Sequence, residues 1–413
     1  MKNDSFRPTA LRHLITCLDG RRVPLNSEQR AEMPGPVPYW GANGVVDHVS
    51  RHLFDEALVL LGEDGAPFFE AGRDVAFLVN EPVWVNNHIH VLRPRGVDPR
   101  FLTYALNAVD YSRYITGSTR DKLTQDDLRR IELNIPDLQE QRRIADFLDA
   151  ETSRVDALRR TMGRLRSLLI ERRNSVVHGY VTGLNHGAER VQGLLHWATS
   201  LPACWPAVRL NLLAVMGSGH TPSRSHEEWW VDCSIPWITT GEVSQVRDDR
   251  REVIDQTRER ISIVGMANSS ARLHPAGTVV LCRTASAGYS AVMGADMATS
   301  QDFVTWTCGP RLDPYYLLWC LRAMRSDLLG RLAMGSTHKT IYLPDLQMLR
   351  VPVPPIQEQR RIVERIRQSN ARIDAAVDAI DRQMALLAER RSALVIAAVA
   401  GRLDVTAKRG EEG

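Results

Sequence analysis

Apolar residues return every seven positions in two stretches of the chain. Leu148, Val155, Met162, Leu169 and Val176 form one series, flanked by Ile144, Leu158 and Leu165 and interrupted by the polar Glu151. Ile366, Ile373, Ile380, Leu387 and Leu394 form the other, beside Ile362 and Ala376. A seven-residue apolar period predicts a helix with one stripe that packs on a second helix. Each stretch runs for about 40 residues, which makes a helix of roughly 60 Å at ~1.5 Å per residue. Pro136 and Asp137, with Glu140 three residues on, supply a start signal: an Asp cap and its box partner. The obvious partner of each helix is the other. Because each leads away from its own globular module, an antiparallel pair would put the modules at opposite ends.

Elsewhere the pattern is mixed. Ala57 to Leu61 and Val75 to Val79 read as short buried strands, Gly62-Glu63-Asp64-Gly65 as a turn, and Phe101 to Asn107 as a helix. An acidic pair in that turn could serve catalysis, but the turn preference of Asp-Gly explains it more cheaply.

The two heptad stretches are copies. Gly117-Ser118-Thr119 returns as Gly335-Ser336-Thr337, and the same offset carries Gln139-Glu140-Gln141-Arg142-Arg143-Ile144 onto Gln357-Glu358-Gln359-Arg360-Arg361-Ile362. It also carries Glu171-Arg172-Arg173 onto Glu389-Arg390-Arg391 and Gly183 onto Gly401, with no insertion between. A period this long points to duplication of a whole domain unit rather than to a solenoid. The segments ahead of the copies resemble one another only faintly, as in Asp98-Pro99-Arg100-Phe101-Leu102 against Asp313-Pro314-Tyr315-Tyr316-Leu317. The expected organisation is a first module over 1–135, a long helix over 136–185, a linker over 186–204, a second module over 205–352, a second long helix over 353–403 and a tail over 404–413. The fold class is α+β: two mixed α/β domains separated by two long helices in an antiparallel coiled coil, with an internal pseudo-two-fold repeat.

Composition narrows the chemistry. The 413 residues carry a net charge of +3, which permits nucleic-acid binding without arguing for it. Lys2, Lys122, Lys339 and Lys408 are the only lysines. Arginine suits bidentate contacts to phosphate and guanine, although a GC-rich genome gives the same bias. Six cysteines without a C-x-x-C pair argue for a reducing compartment and against a zinc ribbon. No run approaches membrane-spanning length, so a cytoplasmic protein is expected.

Catalytic signatures are missing. No Asn or Asp precedes Pro-Pro and an aromatic residue, as an amino methyltransferase requires; no lysine follows a glycine, as a P-loop requires; and no lysine stands two residues after an acidic one, as restriction nucleases usually have. The one histidine cluster, Asn86-Asn87-His88-Ile89-His90, lacks the converging third and fourth ligands of a metal site. A chain that is not itself catalytic is expected, with no metal and no cofactor of its own.

Two variable modules alternating with two repeated helices, each opening with Pro-x-x-Gln-Glu-Gln-Arg-Arg-Ile, resembles the specificity subunit of type I restriction-modification systems. Arg22-Val23-Pro24-Leu25, Pro38-Tyr39-Trp40-Gly41-Ala42-Asn43-Gly44, Gly62-Glu63-Asp64-Gly65, Asn87-His88-Ile89-His90-Val91-Leu92 and Gly117-Ser118-Thr119 are similar to the first target-recognition domain of that family, and Ile235-Pro236-Trp237-Ile238 to the second. The resemblance implies that each module reads one half of a bipartite, asymmetric site in double-stranded DNA. It also implies that the helices set the unread gap and dock two methylation subunits. Those subunits would bring S-adenosylmethionine, and two restriction subunits would bring ATP with Mg. Half-sites about one helical turn apart, ~34 Å, suit readers on a rigid spacer.

Candidate residues follow. Ser118, Thr119, Arg120 and Lys122, with Ser336, Thr337, His338 and Lys339, lie between module and helix in both copies, where shared groups suit phosphate positioning; a helix cap and loop would use the same residues. Tyr39, Asn43, Arg224, Trp237, Arg283 and Tyr289 lie in unshared loops, where base reading belongs, although buried aromatics look the same in sequence. Gln139, Glu140, Gln141, Arg142 and Arg143, with Gln357, Glu358, Gln359, Arg360 and Arg361, are identical hydrophilic helix starts that suit a shared partner. The competing reading is a coiled-coil scaffold whose end domains bind proteins, and a third is the remnant of a self-sufficient restriction-methylation enzyme.

Overall fold

The computed structural model of the chain describes residues 6–70, 72–115, 121–335 and 339–405. It divides into two compact units. Unit 1 joins Met1–Leu165 to Ala379–Gly413, and unit 2 is Arg166–Asp378. The two long helices, Leu138–Val181 and Ile356–Val399, each hold 44 residues. Each unit therefore contains one globular module, the opening half of one long helix and the closing half of the other.

In unit 1 a four-stranded antiparallel sheet runs in the order Ile15–Cys17, Ile89–Pro94, Leu58–Gly62, Ala76–Val79. Every residue of Leu58–Gly62 is buried, which its unbroken apolar run requires of a strand covered on both faces. A second sheet orders Gly44–Val49, Val37–Gly41 and Trp84–Val85, the last pair parallel. The helix Pro99–Asn107 is capped by Asp98, whose carboxylate accepts from the Arg100 and Phe101 amides at 2.9 and 3.2 Å, with Pro99 in its first turn. Both expected strands and the expected helix are thus present, shifted by one or two residues.

Unit 2 repeats the plan. Its main sheet orders Ala214–Ser218, Phe303–Cys308, Val279–Cys282, Ser290–Met293 and Val253–Ile254. Its second sheet orders Glu259–Ile261, Ile235–Ile238 and Ala298–Thr299, again with one parallel pair. Helix Pro314–Ala323 carries the same cap from Asp313. The faint Asp-Pro parallel in the sequence is this shared cap.

Both cores use the long helices. Ile144, Ala145 and Leu148 from the first and Val395, Ala398 and Val399 from the second join the core of unit 1. Val177 and Val181 with Ile362, Val363 and Ile366 do the same in unit 2. In unit 1 Arg391 Nε lies 3.6 Å from Asp156, and in unit 2 Arg173 Nε lies 3.1 Å from Asp374. Carrying each partner across the repeat, 156 to 374 and 391 to 173, turns one pair into the other. Within each unit the helices are antiparallel, and the two units carry equivalent ion pairs along them.

The seam differs from the strict seven-residue series. Leu158 and Leu165 are 44% and 49% exposed, while Thr152, Arg173 and Asn370 are buried. An α-helix has 3.6 residues per turn, so a strict heptad drifts around it. The buried face here steps mostly by four, through Ile144, Leu148 and Thr152, and then Arg173, Val177 and Val181.

Candidate nucleic-acid interface

The repeated Gln-Glu-Gln motif holds module to helix. In unit 1 the Gln141 Oε1 accepts from the Asp98 amide at 2.8 Å and its Nε2 donates to the Pro136 carbonyl at 2.8 Å. In unit 2 the Gln359 Oε1 accepts from the Asp313 amide at 2.8 Å, and its Nε2 donates to the carbonyls of Pro354 at 2.8 Å and Arg311 at 2.9 Å. Both glutamines are buried. This corrects the expectation that they meet a partner: each is spent on the cap residue of its module's own helix. Gln139, Arg142, Arg143, Gln357, Arg360 and Arg361 around them are exposed, whereas Glu140 and Glu358 are half-buried. Glu140 pairs with Arg143, Glu358 with His186 and Arg360 with Asp313.

Where the central strand of each main sheet ends, both units build one backbone framework. The Glu63 amide donates to the His88 carbonyl at 2.9 Å, and the Arg283 amide to the Asp302 carbonyl at 2.8 Å. The Asn86 amide donates to Trp40 at 3.1 Å, and the Ser300 amide to Ile238 at 2.9 Å. The chain returning from the Gly-Ser-Thr segment docks alike, Leu123 onto Glu63 and Ile341 onto Arg283, both at 2.8 Å. The side chains on this framework differ. Glu63, Asn87, His88 and Lys122 in unit 1 stand where Arg283, Gln301, Asp302 and Thr340 stand in unit 2.

Several candidates lie here. Lys122 is exposed and its Nζ sits 3.3 Å from Glu63; Asn43 is exposed and donates to the Gly65 carbonyl at 3.2 Å. Arg283 is half-buried, pinned through Nε to the Gln301 carbonyl at 3.1 Å. Lys339 is exposed beside this framework in sequence. Elsewhere in unit 2, Arg224 is exposed, stacks over Trp230 and pairs with Glu259 at 3.0 Å, while Tyr289 lies under Arg325 and Arg247. Ser118, Thr119, Arg120, Ser336, Thr337 and His338 lie outside the described residues.

Two expected base readers are core residues instead. Tyr39 and Trp237 are each 2% exposed and occupy equivalent places in the second sheets, paired with Trp84 and Ala298. Tyr39 packs with Val49 and Trp84, and its hydroxyl bonds the Leu25 backbone; Trp237 packs with Ile261, Ala271 and Ala298. Burial of an aromatic ring at a strand centre is the cheaper use of its surface.

Beneath the unit 1 framework lies a polar cluster. The His90 ring meets Asp19 at 2.6 Å and the Leu123 carbonyl at 2.9 Å. Burial opposes ionisation of Asp19, but bonds from His90, the Val91 amide and Gln125 outweigh it and hold the carboxyl well below the usual range. Asp19, Glu63 and His90 offer atoms within 4.8 Å of one another, close enough for a metal. The Arg22 guanidinium already bridges the two carboxylates, at 3.6 and 2.6 Å. A fixed cation thus does what a metal would do.

No helix among the described residues is long and apolar enough to cross a membrane. A solved structure from a study of complex assembly and conformational transition in a type I restriction-modification system superposes with a TM-score of 0.68, covering 98% of this chain and 100% of that one at 18% identity. The chain is 32% identical over 144 residues to a type I restriction enzyme specificity subunit of Haemophilus influenzae, 35% of this chain and 36% of that protein. It is 20% identical over 384 residues, 86% and 79% of the two chains, to the EcoDI specificity subunit of Escherichia coli. The chain thus spans about a third of the length of the Haemophilus relative and most of the length of the EcoDI one. The family model for the type I restriction modification DNA specificity domain matches residues 13–161 and again 202–377, one match opening in each globular module. With that double match laid over a duplicated fold, the chain belongs to the type I restriction-modification specificity subunit family.

Proposed function

We propose that this chain selects the DNA on which a type I restriction-modification complex acts, each unit reading one half of a bipartite, asymmetric site. The observation that carries this reading is the single backbone framework bearing two different sets of side chains. A shared backbone suits the same approach to a duplex in both halves, and different side chains suit different bases. Exposed Lys122 in unit 1 and exposed Lys339 in unit 2 would supply the cations that phosphate contacts need.

The exposed Gln139, Arg142 and Arg143, with their copies Gln357, Arg360 and Arg361, form two like faces that would dock two methylation subunits. The paired helices would then set the unread gap. Chemistry falls to the partners: methyl transfer from S-adenosylmethionine on the methylation subunits, and ATP- and Mg-dependent work on two restriction subunits, in the cytoplasm. This chain would itself be non-catalytic.

Base-resolution mapping of methylated adenines tests the reading, in cells carrying the chain with its cognate methylation subunit and in cells lacking only this chain. A bipartite motif that depends on the chain is the expected result. An unchanged pattern, with the methylation subunit expressed and bound, would favour a protein-binding scaffold.

A further inference from the structure

The shared framework places one exposed carboxamide at the same point in each unit: Asn87 before strand Ile89–Pro94, and Gln301 before strand Phe303–Cys308. The correspondence is fixed by backbone bonds on both sides, from Asn86 and Ser300 to the second sheet and to His88 and Asp302 from the central strand. In each unit an arginine holds the carbonyl of the carboxamide residue itself, Arg22 Nη1 at 3.5 Å from Asn87 O and Arg283 Nε at 3.1 Å from Gln301 O. Arginines from unrelated places in the chain thus fix the same peptide.

The side chains are left available. Among the described residues the Asn87 carboxamide has no hydrogen-bond partner, and it lines an open cleft of about 520 Å³ with Asn86, His88, Asn26 and Gln29. Among the described residues Gln301 uses only Oε1, which accepts from Thr221 Oγ1 at 2.5 Å and so orients the amide. The charged neighbour in unit 1 is occupied, since Glu63 is paired by both Arg22 and Lys122.

We infer that Asn87 and Gln301 are the equivalent base-reading residues of the two units, each bonding the major-groove edge of an adenine in its own half-site. A carboxamide offers one acceptor and paired donors side by side, and adenine alone presents the matching N6 donor and N7 acceptor. In unit 2 neither Nη atom of Arg283 has a partner among the described residues, so its fork stands beside Gln301 for an adjoining guanine or phosphate. The inference rests on the DNA reading proposed above.

The test uses the full chain in complex with its methylation subunit, S-adenosylmethionine and a DNA library randomised across the wild-type motif. Gln301→Ala should raise methylation of sites mismatched at one adenine of one half-site by roughly 5- to 150-fold relative to matched sites, the range of a lost bidentate pair. Asn87→Ala should do the same in the other half-site alone. Gln301→Glu, which keeps the shape and removes the donors, should shift preference at that position toward cytosine, a change that a merely structural role would not produce. If the wild-type motif is present and these variants leave it unchanged, or loosen both half-sites together, the assignment is overturned. If the wild-type complex methylates with no sequence preference, the DNA reading fails and the assignment with it.

Discussion

Gln141 and Gln359 show what a repeated residue can be for. Each stands in a motif that reads as a docking surface, yet each is buried and bonds a helix-cap amide and a proline carbonyl. Gln359→Ala should destabilise the chain by about 1–3 kcal/mol per group left unsatisfied, measured by denaturant unfolding, with Gln141→Ala somewhat milder because it orphans one carbonyl fewer. Gln139→Ala, at an exposed position, should leave stability within ~0.5 kcal/mol and instead weaken partner capture. Equal losses at all three positions would refute the clasp. Asp19 gives a pH-dependent counterpart. Its folded carboxyl titrates below the unfolded value, so its contribution is complete above about pH 4–5 and fades as pH falls further. Asp19→Asn should therefore lower stability at neutral pH and flatten the acid limb of the unfolding curve. A steep acid limb retained in the variant would assign that limb to other carboxylates. The sequence marked the two glutamines only by repetition and did not mark Asp19 at all, because a buried and an exposed polar residue are the same letter. Tyr39 and Trp237 were misplaced for the same reason, since a ring serves a core or a base stack equally well.

Helices, caps and central strands were far more legible, because their signals are periodic and local. The run Leu58–Gly62 and the start at Asp137, whose carboxylate accepts from the Glu140 amide at 2.9 Å, follow from short-range chemistry, whereas Asp98 and Asp313 stood out in the sequence only as a parallel between the modules and not as caps. The seam of the long helices was only partly legible, because a heptad count cannot say which polar residues turn inward. Asn370 is the clearest case. It is 4% exposed on the second long helix, and neither side-chain polar atom has a hydrogen-bond partner among the described residues. Its counterpart Thr152 bonds the Leu148 carbonyl at 2.6 Å. A buried unsatisfied amide costs about 1–3 kcal/mol, so Asn370→Leu should raise stability by a similar amount in thermal or denaturant unfolding. A polar residue inside a helix seam can also fix register. A variant that is stabler yet captures the methylation subunit less well would show that the amide sets alignment; one that is less stable would show that the amide is partnered.

At the scale of the whole chain, duplication divides the labour between what is kept and what is free to vary. Kept are the long helices, the glutamine clasps and the pairing of Arg173 and Arg391 with their aspartates. Free to vary are the side chains on the strand-end frameworks. Exchange of residues 205–352 for the matching block of a relative should therefore change one half-site and leave the other intact, provided that the block brings its own anchors. In this chain those anchors are Asp313 for Gln359, Glu252 for Arg367 at 2.5 Å, and Arg250 for Asp378 at 2.7 Å. A donor block lacking the Glu252 and Arg250 equivalents should give a complex that reads only its unit 1 half-site. Salt separates this behaviour from that of a protein-binding scaffold. With about six or more phosphates neutralised, affinity for the bipartite site should fall by roughly a thousandfold or more between ~50 and ~200 mM salt. Replacing Lys122 by alanine should reduce the slope of log K against log salt by about one if its amine meets a phosphate, without altering the bases preferred. A salt-insensitive complex would return the choice to a scaffold, and an altered base preference would move Lys122 from the phosphates to the bases.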